Sequence, residues 1–487
     1  MHCLSKVVRT VLPCLLAGLT VPSLIAQTTG GAPSAPNVTL PAAPNPFLGS
    51  APEGKATSQV LQIDYKDAID RGLRNNLGLL LAGDQVEMSR GQRWRELSEL
   101  LPNVGARIQE NVQTQSLAAL GFNKLLPLFA PAGSSFPAVV PAFNYFDARV
   151  SASQSLFNYR NIENVRAAET NLKAAHFSYK NAREMVVLAV GNAYLQTIAA
   201  SARVETSEAQ VASAKALFGK ATDQQRAGLT PAIDALRSQV EFQTRQQQLI
   251  VARNELAKLK LSVARIIGLP TGQEFVLTEK APFQALTPLP LDVYLQQAYN
   301  ARPDYQAALA KVQSAELSKR GASAGRYPTL DLNANFGDIG VTPSHSNGTW
   351  QVNGGLNIPI FAGNRVHSDV LEADAKLKTA RSQLGDLRGS IDYEVRTALL
   401  DLNASAEQVD VARSSVELAE QALTQSQDRF TAGVADNLEV VQAQEAVASA
   451  HESYIQSLYA HNLSKVELAH AIGDAEEGVK RYLKGNQ

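Results

Sequence analysis

The stretch YPTLDLNANF (Tyr327–Phe336) places Leu330, Leu332, Ala334 and Phe336 on one side of an extended chain and Asp331, Asn333 and Asn335 on the other. A period of two marks a strand with unlike faces. Three more stretches read the same way. In LPNVGARIQ (Leu101–Gln109), Val104, Ala106 and Ile108 oppose Asn103, Arg107 and Gln109. In FNYFDARVSASQSLF (Phe143–Phe157), Phe146, Ala148 and Val150 oppose Asp147, Arg149 and Ser151. In WQVNGGLNIPIF (Trp350–Phe361), Trp350, Val352, Leu356, Ile358 and Ile360 oppose Gln351, Asn353 and Asn357. Alternation alone fits an ordinary half-buried sheet equally well. Strands of about ten residues suit a tilted bilayer crossing, however, and Phe143, Tyr145, Tyr327, Phe336, Trp350 and Phe361 gather near their ends.

In lipid every backbone group needs a partner, so strands span only as a closed barrel. Four strands cannot close one, since the smallest barrels need about eight. Copies of the chain must therefore share a barrel. Two would make eight strands with a filled interior, and three would make twelve with room for water. The polar faces then line a pore, with Arg107, Asp147, Arg149, Asp331, Asn333 and Asn353 pointing into it. The turn-rich segments Val112–Ala142 and Gly337–Gly348 are the expected outward loops.

Working outward from the strands, the chain repeats itself. Gly433 lies 205 residues beyond Gly228, and Gly473 lies 205 beyond Gly268. Phe157 in SLFNYRN matches Phe361 in PIFAGNR at an offset of 204, while Pro102 and Pro328, like Leu73 and Tyr299, are offset by 226. The extra residues fall between Pro102 and Phe157, so the first copy has the longer loop. Each half reads as a medium helix, two strands, a very long helix, a glycine break and a returning helix. Asn158–Gln225 and Gly363–Phe430 contain no proline. In the second, Leu399, Leu402, Ala406, Val409, Ala412, Val416, Ala419 and Leu423 recur at spacings of three and four. At about 1.5 Å per residue each helix reaches roughly 100 Å. Such helices need partners along their whole length, which means coiled-coil packing. Val440, Ala443, Val447, Ala450 and Tyr454 continue the stripe on the returning helix.

The two breaks read DQQRAGLTPAIDALRSQ (Asp223–Gln239) and DRFTAGVADNLEVVQAQ (Asp428–Gln444), each with an acid six residues after its glycine. A helix reversal needs backbone freedom that residues with a Cβ lack. With these motifs and the P-x-L and P-I-F-x-G strands, the chain resembles the TolC-like outer-membrane efflux protein family over about Leu61 to Gly473. The resemblance implies a mainly α fold with a small β part, built from duplicated halves. Three chains would form a twelve-stranded barrel in the outer membrane joined to a twelve-helix coiled-coil tunnel in the periplasm. It implies a passive exit duct for drugs, small solutes or secreted protein, with a periplasmic adaptor, an inner-membrane transporter and outer-membrane lipid as partners. Asp234 and Glu439 would be the acidic rings of the periplasmic aperture, and Gly228, Arg429, Phe430 and Gly433 the helix tips that meet the adaptor. Stacked carboxylates favour cations and repel anions. The first copy departs from the signature with Gln224 and Gln225, and Ala435 stands where some members carry a gate-locking arginine; Phe430 lacks a tyrosine hydroxyl. A hydrogen-bonded lock of that kind is expected to be absent or built differently.

The expected segments are a cleaved signal peptide at 1–26, a flexible Pro/Ala-rich segment at 27–60, repeats at 61–270 and 291–473 around a linker at 271–290, and a tail at 474–487. Lys6 and Arg9 precede the short apolar run that ends at Ala26. Cys3 and Cys14, the only cysteines, lie within it, which leaves the mature chain without a disulfide framework. A formal net charge of −1 with no basic face gives no reason to expect nucleic acid. Scattered histidines give no metal cluster, HESYI lacks the second histidine of a zinc protease helix, and neither Walker nor GxGxxG patterns occur, so no cofactor or catalysis is expected. The alternative is a periplasmic coiled-coil adaptor or tether without a pore, which the four two-faced strands oppose.

Overall fold

The computed structural model describes residues 45–52, 54–117, 119, 139–279, 283–284, 286, 289–435 and 437–478. The expected signal peptide, residues 27–44 and the tail beyond 478 lie outside these. The first half contains β1 (Leu61–Ile63), α1 (Tyr65–Asn75), α2 (Leu77–Ser98), β2 (Asn103–Ser116), β3 (Val139–Phe157), α3 (Tyr159–Arg226) and α4 (Ala232–Ile267). The second contains β4 (Phe275–Leu277), α5 (Leu291–Ala301), α6 (Pro303–Ser323), β5 (Thr329–Thr342), β6 (His345–Asn357), α7 (Arg365–Thr431) and α8 (Asn437–Ala471).

The long helices α3 and α7 run 68 and 67 residues within a residue or two of the expected bounds. Asn158 starts α3 by accepting from the Asn161 amide at 3.3 Å. The medium helix of each half is broken in two, which the sequence reading did not foresee. Asn76 and Arg302, both extended, separate α1 from α2 and α5 from α6. Asn76 caps α2 through the Gly78 amide, whereas Arg302 precedes Pro303, whose ring disfavours a helical residue before it. Three further differences concern the strands. β6 ends at Asn357, so Ile358, Ile360 and Phe361, expected to continue it, lie beyond the strand. Val112–Ser116 and Val139–Ala142 continue β2 and β3 rather than forming loop, and residues 118 and 120–138 lie outside the description. Gly337–Gly348 is not a loop either: β5 and β6 run through it, and only Pro343 and Ser344 turn. Its glycines mislead because they serve close strand approach; a Cβ on Gly337 would sit 2.2 Å from the Ala148 carbonyl oxygen, and one on Gly340 2.0 Å from that of His345.

The sheet is antiparallel in the order β2-β3-β5-β6, and among the described residues β2 and β6 each have one edge without a neighbouring strand. Toward the sheet the helices stand in a row α2, α3, α6, α7; toward the other end the row is α4, α3, α8, α7. Between these levels lies the main core. Ile63, Ile69, Val186, Val190, Tyr194, Ile267 and Val466 are almost wholly buried there, beneath the parallel pair β1–β4. A second cluster, Tyr294, Ile391, Val395, Leu402, Leu468 and Ile472, occupies the corresponding place in the other half. Among the described residues α3 alone is long and apolar enough to cross a membrane, and more than half of its apolar stretch is buried in the protein.

Part of the segment expected to be flexible is built into this waist. Pro46–Leu48 forms a 3-10 turn whose Phe47 ring rests on Gly78, and beyond it the Ser50 hydroxyl donates to the Arg265 carbonyl. The C-terminal segment also docks. Arg183 pairs with Glu476 at 2.5 Å, and the buried Glu184 carboxylate accepts from the Ala475 amide at 2.6 Å. Burial pushes Glu184 up to about 7, against the lowering effect of the Ala475 and Glu476 amides. A raised carboxylate contributes stability that is complete below its ordinary value of 4.5 and fades as pH rises through about 7. Glu184→Gln is therefore expected to match the parent at pH 4.5 and to exceed its thermal stability increasingly toward pH 8, by up to about 3 kcal/mol. Paired melting curves across that range check it; a gap that does not widen with pH contradicts it.

Candidate functional site

Two regions carry the features that the sequence singled out: the four-stranded sheet and the helix tips. In the sheet, cross-strand register collects the polar positions on one face. Asn103, Ser153, Asn333 and Asn353 form one row, Gly105, Ser151, Asn335 and Gln351 the next, and Arg107, Arg149, Gly337 and Thr349 the one after. Hydrogen bonds run across this face. Arg149 Nε meets Asp147 at 2.6 Å and its Nη1 meets Asn335 at 3.3 Å, Gln109 donates to Asp147 at 3.3 Å, and Asn335 donates to Gln351 at 3.3 Å. Arg107, Asp147, Arg149, Asp331, Asn333 and Asn353 all share it. The opposite face is apolar and bare. Val104, Ile108, Val150, Phe336, Trp350, Val352 and Leu356 are exposed, Phe336 by 66% and Trp350 by 75%. A face of this kind is unstable in water and needs an apolar medium.

At the tips, Gly228 and Gly433 take left-handed φ of 71° and 74°. In each, the next amide bonds back to a carbonyl in the last turn: Leu229 to Gln224 at 2.9 Å and Val434 to Arg429 at 3.0 Å. This is the Schellman ending, which a residue with a Cβ adopts only under strain. The two acids differ in setting. Asp234 has only 11% of its side chain exposed, lies 3.6 Å from Arg237, and through its carbonyl accepts from Asn437 at 2.9 Å. Glu439 is 39% exposed and pairs with Arg429 at 3.1 Å across the reversal. Phe430 is buried with Leu217 and Val440.

Sequence reasoning missed the groups that join the two hairpins here. Asn437 is fully buried and donates to Ser238 Oγ at 2.6 Å as well as to Asp234. Lys220 donates to Thr431 Oγ1 at 2.6 Å and stands 5.6 Å over the Phe430 ring. An asparagine at the first helical position of an otherwise Val/Ala seam was the available signal. Also passed over was GASAG (Gly321–Gly325), which has the spacing of a nucleophile elbow. Ser323 is helical there, and its hydroxyl donates to the Lys319 carbonyl at 3.0 Å, so nothing activates it. Among the described residues no group of three or more His, Cys, Asp or Glu side chains could hold a metal ion.

Residues 69–269 and 294–474 match the family described as Outer membrane efflux protein. The chain belongs to that family. It is an outer-membrane protein of a channel family, and the two matched segments coincide with the two halves of the repeat. It is 21% identical over 348 residues to outer membrane protein TolC of Escherichia coli K12, covering 69% of this chain and 70% of TolC. It is 22% identical over 408 residues to the alkaline protease secretion protein AprF of Pseudomonas aeruginosa, covering 79% of this chain and 84% of AprF. The fold is that of the outer membrane protein VceC of Vibrio cholerae, with a TM-score of 0.70 at 19% identity over 84% of this chain and 96% of VceC.

Proposed function

We propose that three copies of this chain form the exit duct of a tripartite efflux or type I secretion system. A twelve-stranded barrel would cross the outer membrane, with the helices forming a twelve-helix periplasmic tunnel beneath it. One observation carries the reading: apart from the bare sheet face, large exposed apolar side chains concentrate on the two ends of the protomer's rows. One end carries Leu81, Met88 and Trp94 on α2 and Ile233, Leu236, Val240, Ile250 and Leu261 on α4, beneath the free edge of β2. The other carries Leu371, Tyr393, Leu400, Val411 and Leu418 on α7, beneath the free edge of β6. α3, between them, exposes none. Joining unlike ends head to tail gives a ring, pairs the open strand edges and lays α7 along α2 and α4 of the next copy. Ile233, Leu236 and Val240 at the start of α4 are spaced by 3 and 4, as on a coiled-coil seam that takes a partner.

The tips close the far end of the duct. Glu439 is the acid that the ring presents to the opening, and Asp234 supports it from within the seam. Arg429, Gly228 and Gly433 form the surface that meets a periplasmic adaptor, which couples the duct to an energised inner-membrane transporter; Phe430, expected on that surface, is packed beneath it against Leu217 and Val440. Drugs, small solutes and secreted protein are all candidate cargo, since among the described tip residues only charge distinguishes one solute from another. Protein extracted from outer membranes in detergent is expected to migrate as a heat-modifiable trimer and to give cation-preferring channels in planar bilayers. Glu439→Ala with Asp234→Ala should raise conductance several-fold and abolish the cation preference, because three to six carboxylates leave the narrowest point. A monomer soluble without detergent would refute the duct, and unchanged selectivity in the double variant would remove these two acids from the aperture.

A further inference from the structure

The polar sheet face holds an arrangement that nothing in strand pairing calls for. Arg107 and Arg149 stand directly opposite each other in the β2–β3 register. Like charges so placed oppose pairing. Arg149 is compensated: Asp147 lies 2.6 Å away, Asn335 accepts from it, and the missing side chain of Gly337, its β5 partner, leaves room for the guanidinium to lie along the sheet. Gln109 occupies the second oxygen of Asp147. Arg107 is exposed and has neither a carboxylate nor a hydrogen-bond acceptor among the described residues. Its strand neighbours on the same face are Gly105 and Gln109. At this level, among the described residues, each chain therefore carries two positive groups and one negative. The next acid on the face, Asp331, sits opposite Ser155, six residues farther along β3 than Arg149. At about 3.3 Å per residue that is roughly 20 Å, more than twice the screening length of about 8 Å at physiological salt.

Resting on the trimeric duct proposed above, we propose that Arg107, backed by Arg149, forms an oxyanion-binding ring inside the barrel. Three copies place a net charge of +3 at one height of a water-filled passage, above an acidic tip. Planar guanidinium groups engage phosphate, sulfate and carboxylate through paired hydrogen bonds. The ring lies where cargo leaves the protein, so it favours exit of solutes bearing such groups and offers a seat for multivalent anions from outside. Asp147 sets its strength by holding Arg149 neutralised.

The test is block of single channels in planar bilayers by tripolyphosphate, added separately to the barrel side and the tip side. Parent channels are expected to be blocked from the barrel side at much lower concentration than from the tip side. Arg107→Gln should weaken barrel-side block about tenfold or more, Arg107→Lys, which keeps the charge but loses the paired hydrogen bonds, should fall between Arg107→Gln and the parent, and Asp147→Asn, which frees Arg149, should strengthen it. Equal block of the parent and Arg107→Gln, or no change in Asp147→Asn, overturns the ring. A parent protein that gives no channels refutes the duct itself, whereas channels indifferent to tripolyphosphate refute only the anion site.

Discussion

Val352→Arg is expected to abolish the assembled trimer in the outer membrane, whereas Gln351→Arg, one residue away on the same strand, leaves it in place. Both side chains are exposed in a single chain. They differ only in face: Val352 lies with Trp350 and Leu356, while Gln351 hydrogen-bonds to Asn335 and Asn353. An arginine facing lipid near mid-depth costs about 2–4 kcal/mol in a barrel, and the ring would carry three. An arginine facing water in the pore costs little. The readout is the heat-modifiable trimer in outer-membrane fractions on gels run with and without boiling. Equal assembly of the two variants would mean that the sheet's apolar face does not meet lipid.

Arg302→Met is the second variant with a large expected effect. Its guanidinium is almost fully buried at the junction of α5 and α6, meets Asp304 at 2.7 Å and Glu394 at 2.6 Å, and donates to the Ala471 carbonyl at 3.2 Å. Against the raising effect of burial, the Arg302 guanidinium holds Asp304 below the usual carboxylate range. Removing one partner of a buried pair strands the others and typically costs about 3–5 kcal/mol. The repeat supplies an internal comparison. Asn76 occupies the matching junction in the first half and donates to the Ile266 carbonyl, the counterpart of Ala471. Asn76→Ala loses only neutral hydrogen bonds, for about 1–3 kcal/mol. Thermal unfolding followed by circular dichroism should rank Arg302→Met well below Asn76→Ala. Adding Glu394→Gln to Arg302→Met should recover part of the loss, because one stranded carboxylate disappears. The opposite ranking would show that the charge network does not hold the junction.

Much of this protein was legible in one dimension because its elements are long and periodic. The proline-free runs of α3 and α7 ended within a residue or two of expectation, since glycine in a left-handed turn stops a helix wherever it occurs. The period-two stretches gave the strands and the polar face that Arg107, Asp147, Arg149, Asp331, Asn333 and Asn353 share. Where the sequence misled, a residue had a local meaning and a tertiary use that disagreed. Gly337 and Gly340 carry a turn signal, yet they sit inside strands because neighbouring backbones come too close for a side chain. Asn76 and Arg302 interrupt helices that periodicity alone would run straight through, and only the returning helix beside them supplies the carbonyl each one caps.

The sequence by itself determined the duplicated plan, the two-faced strands and the glycine-marked reversals, because backbone preference and side-chain alternation act over a few neighbouring residues. Only the tertiary structure decided that Asp234 is buried while Glu439 is half-buried, that Asn437 and Lys220 join the hairpins, and that two arginines face each other across β2 and β3. Those outcomes depend on register and helix rotation, which set which distant side chains meet, and no local pattern encodes them.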